Sequence, residues 1–523
     1  MKKLIQPLLL GLNLGVVSAA AAAEPPNIIV IYADDIGLGD LSIYGSEHIK
    51  TPALDRLANQ GRRFNAAYAS SSMCTPSRYS LLTGEYAFRQ EGVRVLPGNA
   101  PLIIDPERPT IASVLRDHGY ATGLVGKWHV GLGNPDEPLD WNGHIRPGPN
   151  ELGFEYAFHM AATNDRVPTV YIENGHVVGL DPDDPISVSY EGPIGDDPTG
   201  ISHPHLLRSQ ADLEHAGTIV DGTSRIGFMS GGHAARWVDE EMGDTFLNKA
   251  IDFIEENKDG PFFLYYAKHE NHVPRIPHPR FLGSSSVGVR GDAVVQADWS
   301  VGRIMEVLRE HDLHRNTLVI FTSDNGPILN DGYLDGAQEM NRKHNPAGPH
   351  RGGKYSVWEG GTRMPFIVSW PGTIQPGITE AIFSQVDLLA SLAAIAGADV
   401  PLGAGTDGID LSDLLLGHSD VGRDHVVQQG VRTQALRKGP WKYIPPGIVT
   451  TRGETGQFHQ ERIGEPGALF YLPEDPREKN NLAWRYPGKV REMRQILQRE
   501  LDGRPGAVSG RHSGEINGNK GGE

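Results

Sequence analysis

The chain has 523 residues, enough for one large core plus a smaller domain. Its formal net charge of -17 disfavours nucleic acid and anionic membranes as partners, so an anionic substrate needs a local cationic site. A single cysteine excludes an intrachain disulfide framework.

The chain opens MKKLIQPLLLGLNLGVVSAAAAAEPP. Two lysines, a short apolar run and an A-x-A pattern predict a secretory signal peptide over 1–23. The run is too short for an anchor and lacks a basic flank. Losing Lys2 and Lys3 takes the charge from -17 to -19, because no acidic residue precedes Glu24. The expectation is a periplasmic or secreted protein with no stable membrane association and no nucleic-acid partner.

Asn27 to Ala33 reads NIIVIYA, a continuous β-branched run that predicts a strand buried on both faces of a parallel sheet. It ends in Asp34-Asp35. Thr51 to Gly61 predicts a helix, with Pro52 at its start and Gly61 at its end. Next comes SSMCTPSRYSLLTG, Ser71 to Gly84, which holds the single cysteine. Pro76 suits the first turn of a helix, Ser77 to Thr83 continues it, and Gly84 closes it. Cys74 is then expected just before a helix N-terminus, in a positive local field with Arg78 one turn on. A lone thiol in an exported protein is an oxidation liability, and a buried inert thiol is the plain alternative. No second cysteine supplies a C-x-x-C pair.

Ile111 to His118 reads as a helix, and Thr122 to Val125 as a strand leading into Gly126-Lys127-Trp128-His129. The range 167–226 is rich in Pro, Gly, Asp and His. It reads as an insertion that shapes a substrate pocket, or as a surface excursion. After a helix over Thr245 to Glu256, the strand Phe262 to Ala267 runs into Lys268, His269 and His272. Leu318 to Thr322 ends in Ser323-Asp324-Asn325-Gly326. Alternating strands and helices predict an α/β sheet. Ligands of such sheets gather beyond the carboxyl ends of the strands, so the four polar clusters are expected to share one cleft. Asp34, Asp35, Asp324 and Asn325 are hard oxygen donors that suit Ca²⁺ or Mg²⁺ rather than zinc. Each alone would read as a strand-end turn or a cap. Residues 24–420 are expected to form the main α/β domain. Residues 421–503 are expected to form a small β-rich subdomain with a helix over Lys489 to Leu501. Residues 504–523 read as a Gly-rich flexible tail.

C-T-P-S-R resembles the type I sulfatase signature C-x-P-x-R, and the whole of SSMCTPSRYSLLTG matches it. NIIVIYADDIGLGDLSIYG, GYATGLVGKWHVG, TSDNGP, RGGKYSVWEGGTRMP, LRKGPWKYI and LFYLPEDPREKNNLA are similar to further segments of that family. The matches run from Asn27 to about Ala483. The resemblance is to the formylglycine-dependent sulfatases of the alkaline-phosphatase superfamily. It implies a large mixed, mostly parallel sheet flanked by helices, with a smaller C-terminal β-rich subdomain. It implies conversion of Cys74 to 3-oxoalanine (Cα-formylglycine) by a formylglycine-generating maturation enzyme. It also implies one Ca²⁺ per chain, held by Asp34, Asp35, Asp324, Asn325 and the modified Cys74. The chemistry explains the conversion. A thiolate attacking sulfur would leave a persistent S-sulfo adduct, whereas a hydrated aldehyde has a second hydroxyl whose deprotonation expels sulfate by C–O cleavage.

In that frame Arg78 and Lys127 hold the diol, and His129 assists its collapse. Lys354 and His272 contact sulfate and the leaving oxygen, with His272 preferred over His269 as general acid. Thr163, Asn164 and Arg166 are looser substrate candidates. His233, Arg236 and Arg275 are weaker ones, for which solvated charge is the plain alternative. The expected substrate is a sulfated carbohydrate of galactan or glycosaminoglycan type. The competing readings are a phosphomonoester or phosphonate-monoester hydrolase on the same scaffold, and a non-catalytic sulfated-glycan binding protein.

Overall fold

The computed structural model describes residues 25–341, 343–453 and 456–503. The predicted signal segment and the Gly-rich tail lie outside the described residues. The strand Asn27–Ala33 is buried along its whole length. Ile28, Val30 and Tyr32 face one apolar layer, while Ile29, Ile31 and Ala33 face the other. This is the period of two expected of a strand covered on both faces. Phe262–Ala267 and Thr317–Ser323 flank it in parallel and divide their side chains in the same way.

Five parallel strands form the middle of an 11-stranded sheet. Their order is Thr317–Ser323, Asn27–Ala33, Phe262–Ala267, Ala121–Lys127 and Tyr156–Met160. Arg363–Ser369 lies antiparallel to Thr317–Ser323, and Arg62–Tyr68 lies antiparallel to Arg363–Ser369. Two reversals return Arg62–Tyr68 to the direction of the central five. The carboxyl ends of six strands and the amino end of Arg363–Ser369 therefore share one edge of the sheet, and every segment that carries the predicted chemistry leaves or enters there. The helices Cys74–Thr83, Ile111–Asp117 and Leu388–Ala396 cover one face. Pro52–Asn59, Met242–Glu256 and Gly288–Glu310 cover the other.

The helix over the cysteine differs from its expectation. It begins at Cys74 rather than Ser77, with Met73 in extended conformation as its cap. Pro76 thus occupies the third position, where its missing N–H still costs no intrahelical bond. Gly84 ends the helix at φ 65°, left-handed, and its amide reaches Ser80 O at 2.9 Å.

A four-stranded antiparallel sheet follows: His425–Gln429, Gln434–Lys438, Trp441–Ile444 and Ala468–Tyr471. Helix Pro487–Asp502 covers it through Val490, Met493, Ile496 and Leu497. A separate hairpin pairs Gly447–Arg452 with Phe458–Ile463. A buried ion cluster fastens the smaller sheet to the larger. Lys442 Nζ lies 3.1 Å from Glu359 Oε1 and 3.0 Å from Glu478 Oε1, and the Glu359 amide donates to Glu478 Oε2 at 2.7 Å. The E-G-G, P-W-K-Y and D-P-R-E-K-N-N segments thus converge on one structural joint.

Candidate active site

Each strand end delivers a charged group to the shared edge. Asn27–Ala33 is followed by Asp34 and Asp35, and Thr317–Ser323 by Asp324 and Asn325. Ala121–Lys127 ends in Lys127, where Gly126 has φ 112° and approaches Ala267 so closely that a Cβ would lie 1.9 Å from its carbonyl oxygen. Cys74 and Arg78 enter on their helix from the end of Arg62–Tyr68, and Lys354 arrives from the loop before Arg363–Ser369. Asp35, His129 and Tyr355 have φ of 56°, 60° and 74°. Left-handed backbone costs a non-glycine residue about 1–3 kcal/mol, and here it sits in the cleft.

Three carboxylates face three cations. Lys127 Nζ lies 2.6 Å from Asp34 Oδ2. Arg78 donates from Nε and Nη2 to Asp324 Oδ2 at 3.1 and 2.9 Å, and from Nη1 to the Lys127 carbonyl at 3.1 Å. Lys354 Nζ is shared between Asp35 Oδ2 at 3.0 Å and Asp331 Oδ2 at 3.1 Å. All seven of the paired groups, Asp331 included, are buried. Burial and the neighbouring Asp324 push Asp34 up to about 7, against the pull of Lys127. Burial also opposes the charge of Asp324, but Arg78 holds it below the usual carboxylate range. For Cys74, burial outweighs Lys127 and Lys354 and raises the thiol to about 12. Burial outweighs the positive field expected at the helix start and favours the neutral thiol.

The donor set fits a hard divalent cation. Ligand atoms of Asp34, Asp35, Cys74 and Asp324 lie within 4.8 Å of one another. Asn325 Nδ2 donates to Asp35 Oδ1 at 2.6 Å, and its buried Oδ1 has no partner.

Cys74, His129, Arg166, His272 and Lys354 line one pocket, together with Val95, Asp165, Glu214, His215, Ile226, Asp331, Tyr355 and Arg452. His129 Nε2 reaches the Leu96 carbonyl at 3.0 Å. A carbonyl only accepts, so the proton is on Nε2 and the buried, unpartnered Nδ1 is an acceptor. His272 Nδ1 likewise donates to the Val273 carbonyl at 2.7 Å, which leaves Nε2 with the lone pair. Burial and Lys354 push His272 well below the usual range. His269 is elsewhere, in a small cavity with Asn164, Glu270 and Gln296.

The looser substrate candidates divide. Arg166 lines the pocket, with Nη1 2.7 Å from Thr163 Oγ1 and 2.5 Å from Asp165 Oδ1. Asn164 Nδ2 is tied to the carbonyls of His272 and Pro274 at 3.3 and 3.0 Å. His233 and Arg236 both meet Asp197, away from the pocket. Arg275 is bound to Asp335 and to the carbonyls of Asn271, Ile328 and Leu329. The pocket also holds groups that sequence reasoning missed. Asp165 sits between two singled-out residues, and Asp331 lies six residues past Asn325. His215 and Glu214 come from the 167–226 insertion. Arg452 comes from the C-terminal hairpin and carries no sequence signal. Part of the insertion therefore does shape the pocket.

The sulfatase family model matches residues 26–398. The chain belongs to the sulfatase family. This sulfatase is 49% identical over 482 residues to the N-acetylgalactosamine-6-O-sulfatase of Bacteroides thetaiotaomicron, covering 91% of this chain and 93% of that protein. It is 34% identical over 502 residues to human arylsulfatase A, covering 93% and 89%. A solved B. thetaiotaomicron sulfatase, described in work on the metabolism of multiple glycosaminoglycans, superposes with a TM-score of 0.88 at 49% identity. That match covers 91% of this sulfatase and 99% of the solved chain. The expected fold class, the mixed sheet with a smaller antiparallel sheet behind it, is the fold of this sulfatase.

Proposed function

We propose that the protein is an exported sulfatase that hydrolyses a sulfate monoester on a glycosaminoglycan-type carbohydrate, with 6-O-sulfated N-acetylgalactosamine as the sugar. The observation that carries the reaction is the charge-balanced cluster around Cys74. Asp34, Asp35 and Asp324 are matched by Lys127, Lys354 and Arg78, and Asp331, which shares Lys354, is matched by Arg452. A divalent cation held by the carboxylates and Asn325 raises the site's net charge to about +2, which makes it an anion site. In this reading the cation is Ca²⁺, which supplies Lewis acidity toward sulfate oxygens. Cys74, converted to formylglycine by a maturation enzyme, supplies a hydrated aldehyde.

The chain's own groups do the rest. Arg78 and Lys127 stabilise negative charge at residue 74. His129 Nδ1, the free lone pair beside Cys74, takes a proton from a hydroxyl there. Lys354 neutralises sulfate, and His272 accompanies it at the leaving oxygen. Asp165, Arg166, Glu214, His215, Asp331, Tyr355 and Arg452 line the same pocket with both donors and acceptors, suited to sugar hydroxyls. The 49% identity to an N-acetylgalactosamine-6-O-sulfatase supports the choice of sugar. Export rests on the 1–23 segment. No helix among the described residues is long and apolar enough to cross a membrane.

Two measurements test this. The tryptic peptide Phe64 to Arg78, from protein made in its own host, should carry an aldehyde at Cys74 that reacts with a hydrazide probe. An unmodified thiol there ends the formylglycine reading. Turnover should be faster on N-acetylgalactosamine 6-sulfate than on the 4-sulfate, and faster on an aryl sulfate than on the matched phosphate. Faster phosphate cleavage favours the phosphohydrolase reading.

A further inference from the structure

A second concave site lies outside the catalytic pocket. A cavity of about 440 Å³ is lined by Asn345, His350, Arg351, Arg477 and Lys479. Among the described residues no carboxylate lines it, on a chain whose formal net charge is -17. Arg477 and Lys479 are exposed, and neither forms an ion pair with a described residue. The nearby Asp475 is turned away and accepts the backbone amides of Lys479 and Asn480 at 2.8 and 2.7 Å.

The other side of the cleft is fixed in place. The Arg351 guanidinium lies over Trp358, 3.7 Å from the ring centroid, donates to the Glu478 carbonyl at 3.3 Å and pairs with Glu461. Glu461 offsets one of the three cations. His350 is only 9% exposed, and its Nδ1 has no partner.

The hairpin touches both sites, the catalytic pocket through Arg452 and the cleft through the Glu461 partner of Arg351. Arg452, which lines that pocket, stands opposite Phe458, while Glu461 stands opposite Val449. Three residue rows separate them, about 10 Å along a strand, and the odd offset puts Arg452 and Glu461 on opposite faces of the hairpin.

We propose that this cleft binds an anionic group, sulfate or carboxylate, on a sugar further along the same substrate chain than the sugar in the catalytic pocket. The proposal rests on the carbohydrate reading above. The Arg477 fork matches the oxygen pair of either anion, and Lys479 adds a point charge, while Arg351, already bound to Glu461 and the Glu478 carbonyl, forms the wall. A chain that fills both sites gains from the second contact, and a monosaccharide does not.

The test is the double charge reversal Arg477→Glu with Lys479→Glu. kcat/KM is measured on N-acetylgalactosamine 6-sulfate and on a hexasaccharide alternating that sugar with a uronic acid. The reversal should lower kcat/KM about tenfold on the hexasaccharide and leave the monosaccharide within about twofold. Added salt should shrink the wild-type preference for the hexasaccharide. An unchanged hexasaccharide value, or an equal loss on both substrates, overturns the proposal. Hexasaccharide binding to the Cys74→Ala protein, with and without the reversal, separates this inference from the proposed function. If neither sugar is turned over and binding still weakens about tenfold, the cleft stands and the substrate reading fails. If the reversal leaves binding unchanged, the cleft is removed. With sulfate kept only on the sugar in the catalytic pocket, unchanged hexasaccharide binding assigns the cleft's anion to carboxylate, and weakened binding assigns it to sulfate.

Discussion

Asp331 sits where the catalytic pocket meets the C-terminal hairpin. Its carboxylate takes Lys354 Nζ at 3.1 Å, Arg452 Nη1 at 2.6 Å and the Tyr355 hydroxyl at 3.1 and 3.2 Å. Burial opposes its charge, yet Lys354 and Arg452 hold it below the usual carboxylate range. Asp331→Asn keeps the shape and turns an NH₂ toward one of the two cations. Breaking a buried ion pair costs about 3–5 kcal/mol. Here Lys354 keeps Asp35 at 3.0 Å and Arg452 keeps Asp212 at 3.8 Å, so about 3 kcal/mol is expected in urea unfolding. The enzyme should fold. Lys354, no longer shared, should move toward Asp35, and a displacement of about 1 Å at a reacting group costs about 100-fold in rate. The expected kcat on an aryl sulfate is therefore about 10- to 100-fold lower, with a much smaller change in KM, because charge on the leaving oxygen develops only in the transition state. Tyr355→Phe removes a hydroxyl and no charge, and should cost about threefold or less. A folded Asp331→Asn enzyme with wild-type kcat would refute the idea that Asp331 positions Lys354, as would equal losses in the two variants.

Further expectations follow from the same geometry. Cys74→Ala should fold normally by circular dichroism and show no turnover. Cys74→Ser should accept sulfate once and retain it as an ester on the Phe64 to Arg78 peptide, and repeated turnover by either variant contradicts the formylglycine route. Asp324→Ala should weaken Ca²⁺ binding in calorimetry and activity together, and an unaltered response to chelator counts against the metal assignment. Burial pushes Glu478 up to about 7, against the pull of Lys442 and from an ordinary 4.5. The folded protein then holds this proton more tightly than the unfolded chain. Its contribution to stability is full below about pH 4.5 and lost as pH rises through about 7. Glu478→Gln should flatten that part of the urea-midpoint profile, and an unchanged slope would assign it to other groups.

Strand ends were legible in the sequence for a physical reason. A parallel strand buried on both faces is written as an unbroken apolar run, so NIIVIYA and LVIFT announce both the sheet and the point where it stops. Asp34, Asp35, Asp324 and Lys127 follow from those stops. His215, Glu214 and Arg452 come from irregular loops and a hairpin, where no period marks which charge turns inward. The same limit applies to Arg236 and Arg275, whose charges serve internal ion pairs that look identical in sequence to substrate contacts. Cys74 is the most instructive case. Its position at a helix start suggests an activated thiol, but the expected cations are already occupied. Lys127 is bound to Asp34, Arg78 to Asp324 and Lys354 to Asp35, so burial governs the thiol and raises it to about 12. The carboxylates that silence the thiol are the groups suited to a divalent cation. A divalent cation held by those carboxylates would compete with Arg78, Lys127 and Lys354 for them, and would leave the three cations suited to an anion such as a sulfate ester.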